Sequence, residues 1–89
     1  MSRKLSLTRD ADKFLAHLDA KPFRQVVRRI FSLATDATPP DSIKLEGSNF
    51  HRVDQGEYRI VYSFDSDTVY IVVIGKRNDD EVYAKLKRK

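Results

Sequence analysis

The chain has 89 residues, a formal charge of +4 and no cysteine. That length makes one domain, residues 1–89, near the small end for a chain that folds alone. The missing cysteine excludes a disulfide framework and a thiolate metal site, and no apolar run is long enough to span a bilayer.

Met1-Ser2-Arg3-Lys4 lacks the apolar segment of a signal peptide, so a small cytoplasmic protein is expected. The two histidines, His17 and His51, have no neighbours at metal-ligand spacing, and neither a metal nor another cofactor is expected. The basic balance suits a polyanionic or acidic partner, nucleic acid or protein. The same surplus also fits a purely solubilising role.

Lys4-Leu5-Ser6-Leu7 alternates as a first strand does, and Thr8 reads as the N-cap of a helix with Asp10 in its first turn. Ala11, Phe14, Leu15 and Leu18 then recur at i, i+3, i+4, i+7 and make one apolar face. Asp19 can cap a second helix that tolerates Pro22 in its first turn. Phe23, Val26, Val27, Ile30, Leu33 and Ala34 form its buried stripe, with Arg24 and Arg28 opposite and Arg29 at the margin. The two helices form a hairpin suited to one face of a sheet. Its arginines are either a solvated face or a contact for an acidic protein partner or RNA.

Residues 35–42 are a loop, since Pro39-Pro40 fits neither helix nor central strand. Ile43 to Gly47 returns the chain to the sheet, Phe50 to Val53 is a short strand, and Gln55-Gly56 is a tight turn. Tyr58, Ile60, Tyr62 and Phe64 alternate with Arg59, Val61 and Ser63. Asp65-Ser66-Asp67 turns the chain. Val69 to Ile74 is apolar on both faces, which predicts a central strand covered on both sides. Asn78 can cap a last helix, with Asp79, Asp80 and Glu81 at its positive end and Lys85, Lys87 and Arg88 at its negative end. The predicted order is β-α-α-β-β-β-α. This is an α+β domain with an antiparallel-rich four-stranded sheet, an N-terminal helical hairpin on one face and a short C-terminal helix.

Registers suggest a site at one sheet end. With Gln55-Gly56 as a two-residue loop, Asp54 pairs with Glu57 and Arg52 lies opposite Arg59. Like charges facing across a ladder are unfavourable unless an anion sits between them. With Asp65-Ser66-Asp67 as a three-residue loop, Phe64 pairs with Thr68. Arg59 then shares a face with Arg77, four residues away along the neighbouring strand, roughly 13 Å at strand rise. A two-residue loop would reverse that parity. The competing reading makes these arginines partners in surface salt bridges, Arg52 with Glu57 or Asp54 and Arg77 with Asp79 or Asp80.

Three segments, Tyr58-Arg59-Ile60-Val61-Tyr62, Val72-Val73-Ile74-Gly75-Lys76-Arg77 and Glu81-Val82-Tyr83, resemble the RelE branch of the RelE/ParE toxin superfamily. Lys44-Leu45-Glu46-Gly47 resembles that family's Lys-Leu-x-Gly approach to the sheet, and the order of elements agrees over nearly the whole chain. The Gly-Lys-Arg followed by Glu-Val-Tyr is the specific part, because ParE-type relatives share a Tyr-Arg-x-x-Tyr. The resemblance implies a toxin that cleaves mRNA in the ribosomal A site and is held inactive by an acidic antitoxin, reaching operator DNA only through the antitoxin complex. It matches Arg59, Lys76, Arg77 and Tyr83 to functional positions, with Lys44 and Arg52 as RNA-binding cations. Asp54 stands where related sequences often carry a cation, a departure that leaves the general base unassigned.

The side chains suit that chemistry. A ribose 2′-OH can attack the adjacent phosphate without a metal, given in-line positioning, charge stabilisation and proton transfers. Arg59 and Arg77 fit charge stabilisation, since guanidinium forks match phosphate oxygens. Tyr83 could stack on a base or exchange a proton. Phenols ordinarily ionise near pH 10, so the second role requires nearby cations. The alternative for Tyr83 is a ring packed at the core's edge. Glu57 and Asp54 are carboxylates close enough to serve as base, whereas the strand parity of His51 turns it away. The rivals to a nuclease are a ParE-like inhibitor of DNA gyrase and an inactive basic binding module.

Overall fold

A computed structural model describes residues 2–79 and 81–87 of the chain. The expectations placed on Asp80, on Arg88 and on the Asp79 side chain lie outside what it describes. β1 (Lys4–Leu7) leads into α1 (Arg9–Ala16) and α2 (Ala20–Thr35). The sheet continues with β2 (Ile43–Lys44), β3 (His51–Gln55), β4 (Tyr58–Phe64) and β5 (Thr68–Lys76). A 3-10 turn at Arg77–Asp79 then precedes α3 (Glu81–Lys87).

The domain is α+β, with the helical hairpin where the sequence predicts it. The sheet has five strands rather than four, in the order β1-β5-β4-β3-β2. The addition is β2, whose Ile43 and Lys44 pair with Arg52 and His51. Two residues are too short to show a period. β1 runs parallel to β5 and every other pairing is antiparallel. β5 therefore lies inside the sheet, as its two-sided apolar run requires.

Helix starts follow local chemistry. Thr8 caps α1, its hydroxyl accepting from the Ala11 amide. Asp19 occupies the N-cap position of α2, but its side chain makes no capping bond. Asn78 lies within the 3-10 turn, not immediately before α3, which begins at Glu81, so it is not at the N-cap position expected of it.

The main core lies between the sheet and the hairpin. Val26, Ile30 and Leu33 of α2 and Ala11 and Leu15 of α1 meet Val53, Ile60, Tyr62, Val69, Ile71 and Ile74 of the sheet. The Tyr62 hydroxyl donates to the Ala37 carbonyl at 2.7 Å, which satisfies the polar end of a buried ring. The opposite face holds a smaller cluster, Val61, Val73 and Val82, covered by α3.

Both hairpin registers differ from the predicted ones, and both differences place the site. In the β3–β4 hairpin the loop is Gly56-Glu57, with Gly56 at φ 60°, a left-handed conformation that glycine adopts freely. Gln55 therefore joins the ladder opposite Tyr58, Asp54 faces Arg59, and Arg52 faces Val61 rather than Arg59. The offset is two residues, so Arg52 and Arg59 still share a face.

Between β4 and β5, Phe64 pairs with Val69 and not Thr68. The Asp65 carboxylate accepts from the amides of Asp67 and Thr68, each at 2.8 Å, and this bonding fixes the longer turn. One extra residue would put Arg59 and Arg77 on opposite faces. A bulge at Val72 restores the parity: Tyr62 pairs with Ile71, but Val61 pairs with Val73. The Val72 carbonyl accepts from the Thr8 hydroxyl at 2.6 Å, so the bulge leaves no orphaned acceptor there. Beyond it Arg59 faces Gly75, and Arg77 is two residues further on, roughly 7 Å rather than 13 Å at strand rise.

Candidate functional site

The sheet end on the α3 side gathers side chains from four elements. Arg52 and Asp54 come from β3, Arg59 from β4, Arg77 from the 3-10 turn after β5, and Tyr83 from α3. Asp54 lies at the centre. Arg59 grips its carboxylate side-on, Nε to Oδ1 at 2.8 Å and Nη2 to Oδ2 at 3.2 Å. The third nitrogen of Arg59, Nη1, donates to the Tyr83 hydroxyl at 3.1 Å, and the guanidinium lies 5.8 Å from the Tyr83 ring centre.

Arg52 and Arg77 approach the same carboxylate oxygen at 3.8 and 3.9 Å. Those separations are ion pairs without a hydrogen bond, so neither arginine spends a donor on Asp54. The hydrogen bond from Arg59 holds the Asp54 carboxyl below its ordinary value of 3.8, and the charges of Arg59, Arg52 and Arg77 act in the same direction. The same bond raises the Arg59 guanidinium.

Arg52, Arg59, Arg77 and Tyr83 come together. Salt bridging to Asp54 is also present, and the two readings are not exclusive, because three guanidinium groups surround one carboxylate. Tyr83 packs its ring against the Val61, Val73 and Val82 cluster, as the core-edge reading expects, and its hydroxyl accepts from Arg59.

Lys44 and Lys76 are not in the cluster. Lys44 pairs with His51 and lines a separate, shallow polar depression of about 280 Å³, open to solvent, with Gly47, Ser48 and Asn49. Lys76 pairs with Tyr58 on the other side of the sheet and is exposed. His51 turns away, as its parity predicts, with its ring centre 5.7 Å from that of Tyr62 and 5.1 Å from that of Phe64. Among the described residues no group of three or more His, Asp or Glu side chains could hold a metal ion.

Gly75 has a structural reason visible only in three dimensions. A Cβ there would lie 3.2 Å from Glu81 Cγ and Val82 Cγ1, so its absence lets α3 dock directly on β5. Lys85 secures the same helix, donating to the Ile74 carbonyl at 3.1 Å and lying 3.5 Å from Asp10 of α1. Helix α3 is thereby held where Tyr83 reaches Arg59. Asp54 is the site residue that sequence reasoning undervalued. The available signal was its place in the hairpin, one residue before the Gln55-Tyr58 pair that closes the loop.

A helical hairpin on one face of a mixed sheet, with a charged cluster at the sheet end beside a C-terminal helix, defines a small basic α+β domain. The sequence model of the ParE toxin of the parDE type II toxin–antitoxin system matches residues 5–81. The chain thus belongs to the ParE toxin family, within the RelE/ParE superfamily. No curated protein matches it by sequence.

Solved structures share the fold. The free E. coli RelE toxin, in a mutant form, superposes with a TM-score of 0.82 at 22% identity, covering 99% of this chain and 98% of that one. RelE of the Pyrococcus horikoshii RelE–RelB complex gives 0.78 at 24% identity, covering 89% and 99%. The Mycobacterium tuberculosis RelBE2 toxin–antitoxin complex gives 0.73 at 22%, covering 86% and 100%. Among the described residues no helix is long and apolar enough to cross a membrane.

Proposed function

We propose that this type II toxin is a ribosome-dependent mRNA endonuclease that cuts message in the A site. The observation that carries the reading is the convergence of Arg52, Arg59, Arg77 and Tyr83 at one sheet end, with the Arg77 side chain 50% exposed. In the reaction the ribose 2′-oxygen forms a bond to phosphorus as its proton leaves. The bond from phosphorus to the 5′-oxygen breaks, and that oxygen takes up a proton, giving a cyclic phosphate and a 5′-hydroxyl. Arg77 and Arg52 have donors free for the phosphate, whose charge grows toward the transition state.

Arg59 is engaged by Asp54 and contributes fixed positive charge beside Tyr83. Because the Tyr83 oxygen accepts from Arg59, its own proton is free to go to the leaving oxygen, and the adjacent cation stabilises the phenolate that results. Asp54 makes a poor general base, since its lone pairs face cations and its carboxyl is held below the ordinary range. Arg59, Arg77 and Tyr83 are accordingly the catalytic residues of this reading. Arg52 binds RNA, and Lys44 and Lys76 contact it outside the cluster.

Single-turnover cleavage of ribosome-bound message tests the assignment. Arg77→Ala should lose roughly a hundred- to thousandfold in rate, the usual cost of one stabilising donor, about 2.7–4 kcal/mol, with its melting temperature unchanged. Arg77→Lys should recover part of the rate, because it keeps charge without the fork. Full activity in a well-folded Arg59→Ala/Arg77→Ala variant would sink the site.

One observation favours a second reading: the family that matches is that of ParE, whose resemblance implies gyrase inhibition. On expression, the nuclease halts protein synthesis before DNA synthesis. DNA breaks that precede any fall in translation would establish the gyrase reading instead.

The partner inferred is a cognate acidic antitoxin that folds on this surface. Two of the similar structures are toxin–antitoxin complexes, and α2 here presents exposed Arg24 and Arg28 near Phe31, which is 61% exposed. Operator DNA would be reached through that complex. Affinity for the antitoxin should fall with salt and with Arg24→Glu/Arg28→Glu. A complex indifferent to both leaves these arginines as solvated surface.

A further inference from the structure

We propose that Asp54 is a built-in competitor for the substrate phosphate, its carboxylate occupying one edge of Arg59 and facing Arg52 and Arg77, so that the site binds single-stranded RNA more weakly than its cations allow. The inference rests on reading the cluster as the phosphate site.

A guanidinium fork accepts a carboxylate or a phosphate by the same pair of parallel hydrogen bonds. In this protein the Nε and Nη2 edge of Arg59 is already filled, at 2.8 and 3.2 Å. Asp54 Oδ2 also lies 3.8 Å from the Arg52 guanidinium and 3.9 Å from that of Arg77. A phosphate drawn between Arg52 and Arg77 must therefore set a negatively charged oxygen beside Oδ2, or displace the carboxylate from Arg59. Either route works against binding.

The Asp54 side chain is 30% exposed, so an incoming anion can approach it. The bidentate, part-buried pair with Arg59 stabilises the β3–β4 hairpin, but that role needs one arginine and does not explain why three share one acid. Cross-strand pairing with Arg59 keeps the carboxylate in place.

The test uses the full chain and a fluorescently labelled short oligoadenylate, with binding followed by anisotropy across a range of salt. Asp54→Asn keeps the size of the side chain and an acceptor for Arg59 but removes the charge. It should bind at least about tenfold more tightly, because one like charge has left a partly desolvated site. The slope of log affinity against log salt should steepen by roughly 0.7, the increment for one more phosphate contact on a single strand. Inorganic phosphate should compete better against the variant than against the wild type. Asp54→Glu, which keeps the charge, should stay near the wild type. Asp54→Ser serves in the same role should the asparagine variant fail to fold, with the same expected tightening.

Unchanged or weaker binding with an unchanged salt slope, in a variant that melts like the wild type, overturns the proposal and leaves Asp54 as a positioning residue for Arg59. The underlying reading fails separately: if Arg52→Ala/Arg77→Ala binds the oligonucleotide as the wild type does, the cluster is not a phosphate site at all, and the proposal falls with it.

Discussion

The two faces of the sheet are built to different standards. The hairpin face is apolar over most of its area: Ile60, Ile71 and Ile74 are fully buried, and the Tyr62 hydroxyl among them donates to the Ala37 carbonyl. The α3 face buries only three valines before giving way to Arg52, Asp54, Arg59 and Arg77. Large apolar surface on one side holds the strands, so the other side can tolerate cations gathered more closely than their repulsion favours. The main core and the charged cluster are thus separated by the thickness of one sheet. Strand alternation makes this possible, since neighbouring residues such as Val53 and Asp54 serve opposite faces.

The largest effect that would break this contrast is a cavity on the hairpin face. Ile60 sits with no exposure, opposite Ile74 in the ladder. Ile60→Ala should cost about 2–5 kcal/mol in urea denaturation, a large part of the stability of a domain this small. RNA binding by the fraction still folded should be unchanged, because Ile60 points away from the cluster. A variant that keeps its stability but loses RNA binding would show that the two faces are not independent.

What the sequence made legible follows the same division. The hairpin face was readable because burial imposes a period: Val26, Ile30 and Leu33 mark α2, and Tyr58, Ile60, Tyr62 and Phe64 mark β4. Thr8 was readable as a cap because its hydroxyl does local work, although its second role, donating to the Val72 carbonyl, depends on a strand 64 residues away. The residues of the charged cluster were readable by type and parity, but their contacts were not.

Two errors of register account for this. Placing Gly56 at the second loop position, when it takes the first, set Arg59 opposite Arg52 and not its true cross-strand partner Asp54. The longer turn at Asp65 and the bulge at Val72 then offset one another, so the shared face of Arg59 and Arg77 was reached through a mistaken ladder. A bulge has no period and no composition of its own, and nothing in the run Val69 to Ile74 announces it. Lys44 and Lys76 were grouped with the arginines through the family resemblance, which carries no register. Their ladder partners, His51 and Tyr58, show that both belong to the other side.

A smaller effect would sharpen the contrast by acting at the seam between α3 and the sheet. Gly75 sits opposite Arg59, and a methyl group added there would lie 3.2 Å from Val82 Cγ1 and from Glu81 Cγ. The Glu81 side chain can swing aside, but Val82 is fully buried and has no free direction. Gly75→Ala should therefore push α3 outward and cost about 1–3 kcal/mol in urea denaturation, the usual price of overpacking. Helix α3 carries Tyr83, whose hydroxyl lies 3.1 Å from Arg59, so cleavage should fall as that contact lengthens. The Asp54–Arg59 pair lies within the β3–β4 hairpin, and oligonucleotide binding should change little. Tyr83→Phe provides the comparison, since it removes the same contact without moving the helix. If the proton role holds, both variants should lose cleavage while only Gly75→Ala loses stability. Should Gly75→Ala cleave and melt like the wild type, the close docking of α3 is dispensable, and Tyr83 reaches its partner by some freedom of its own.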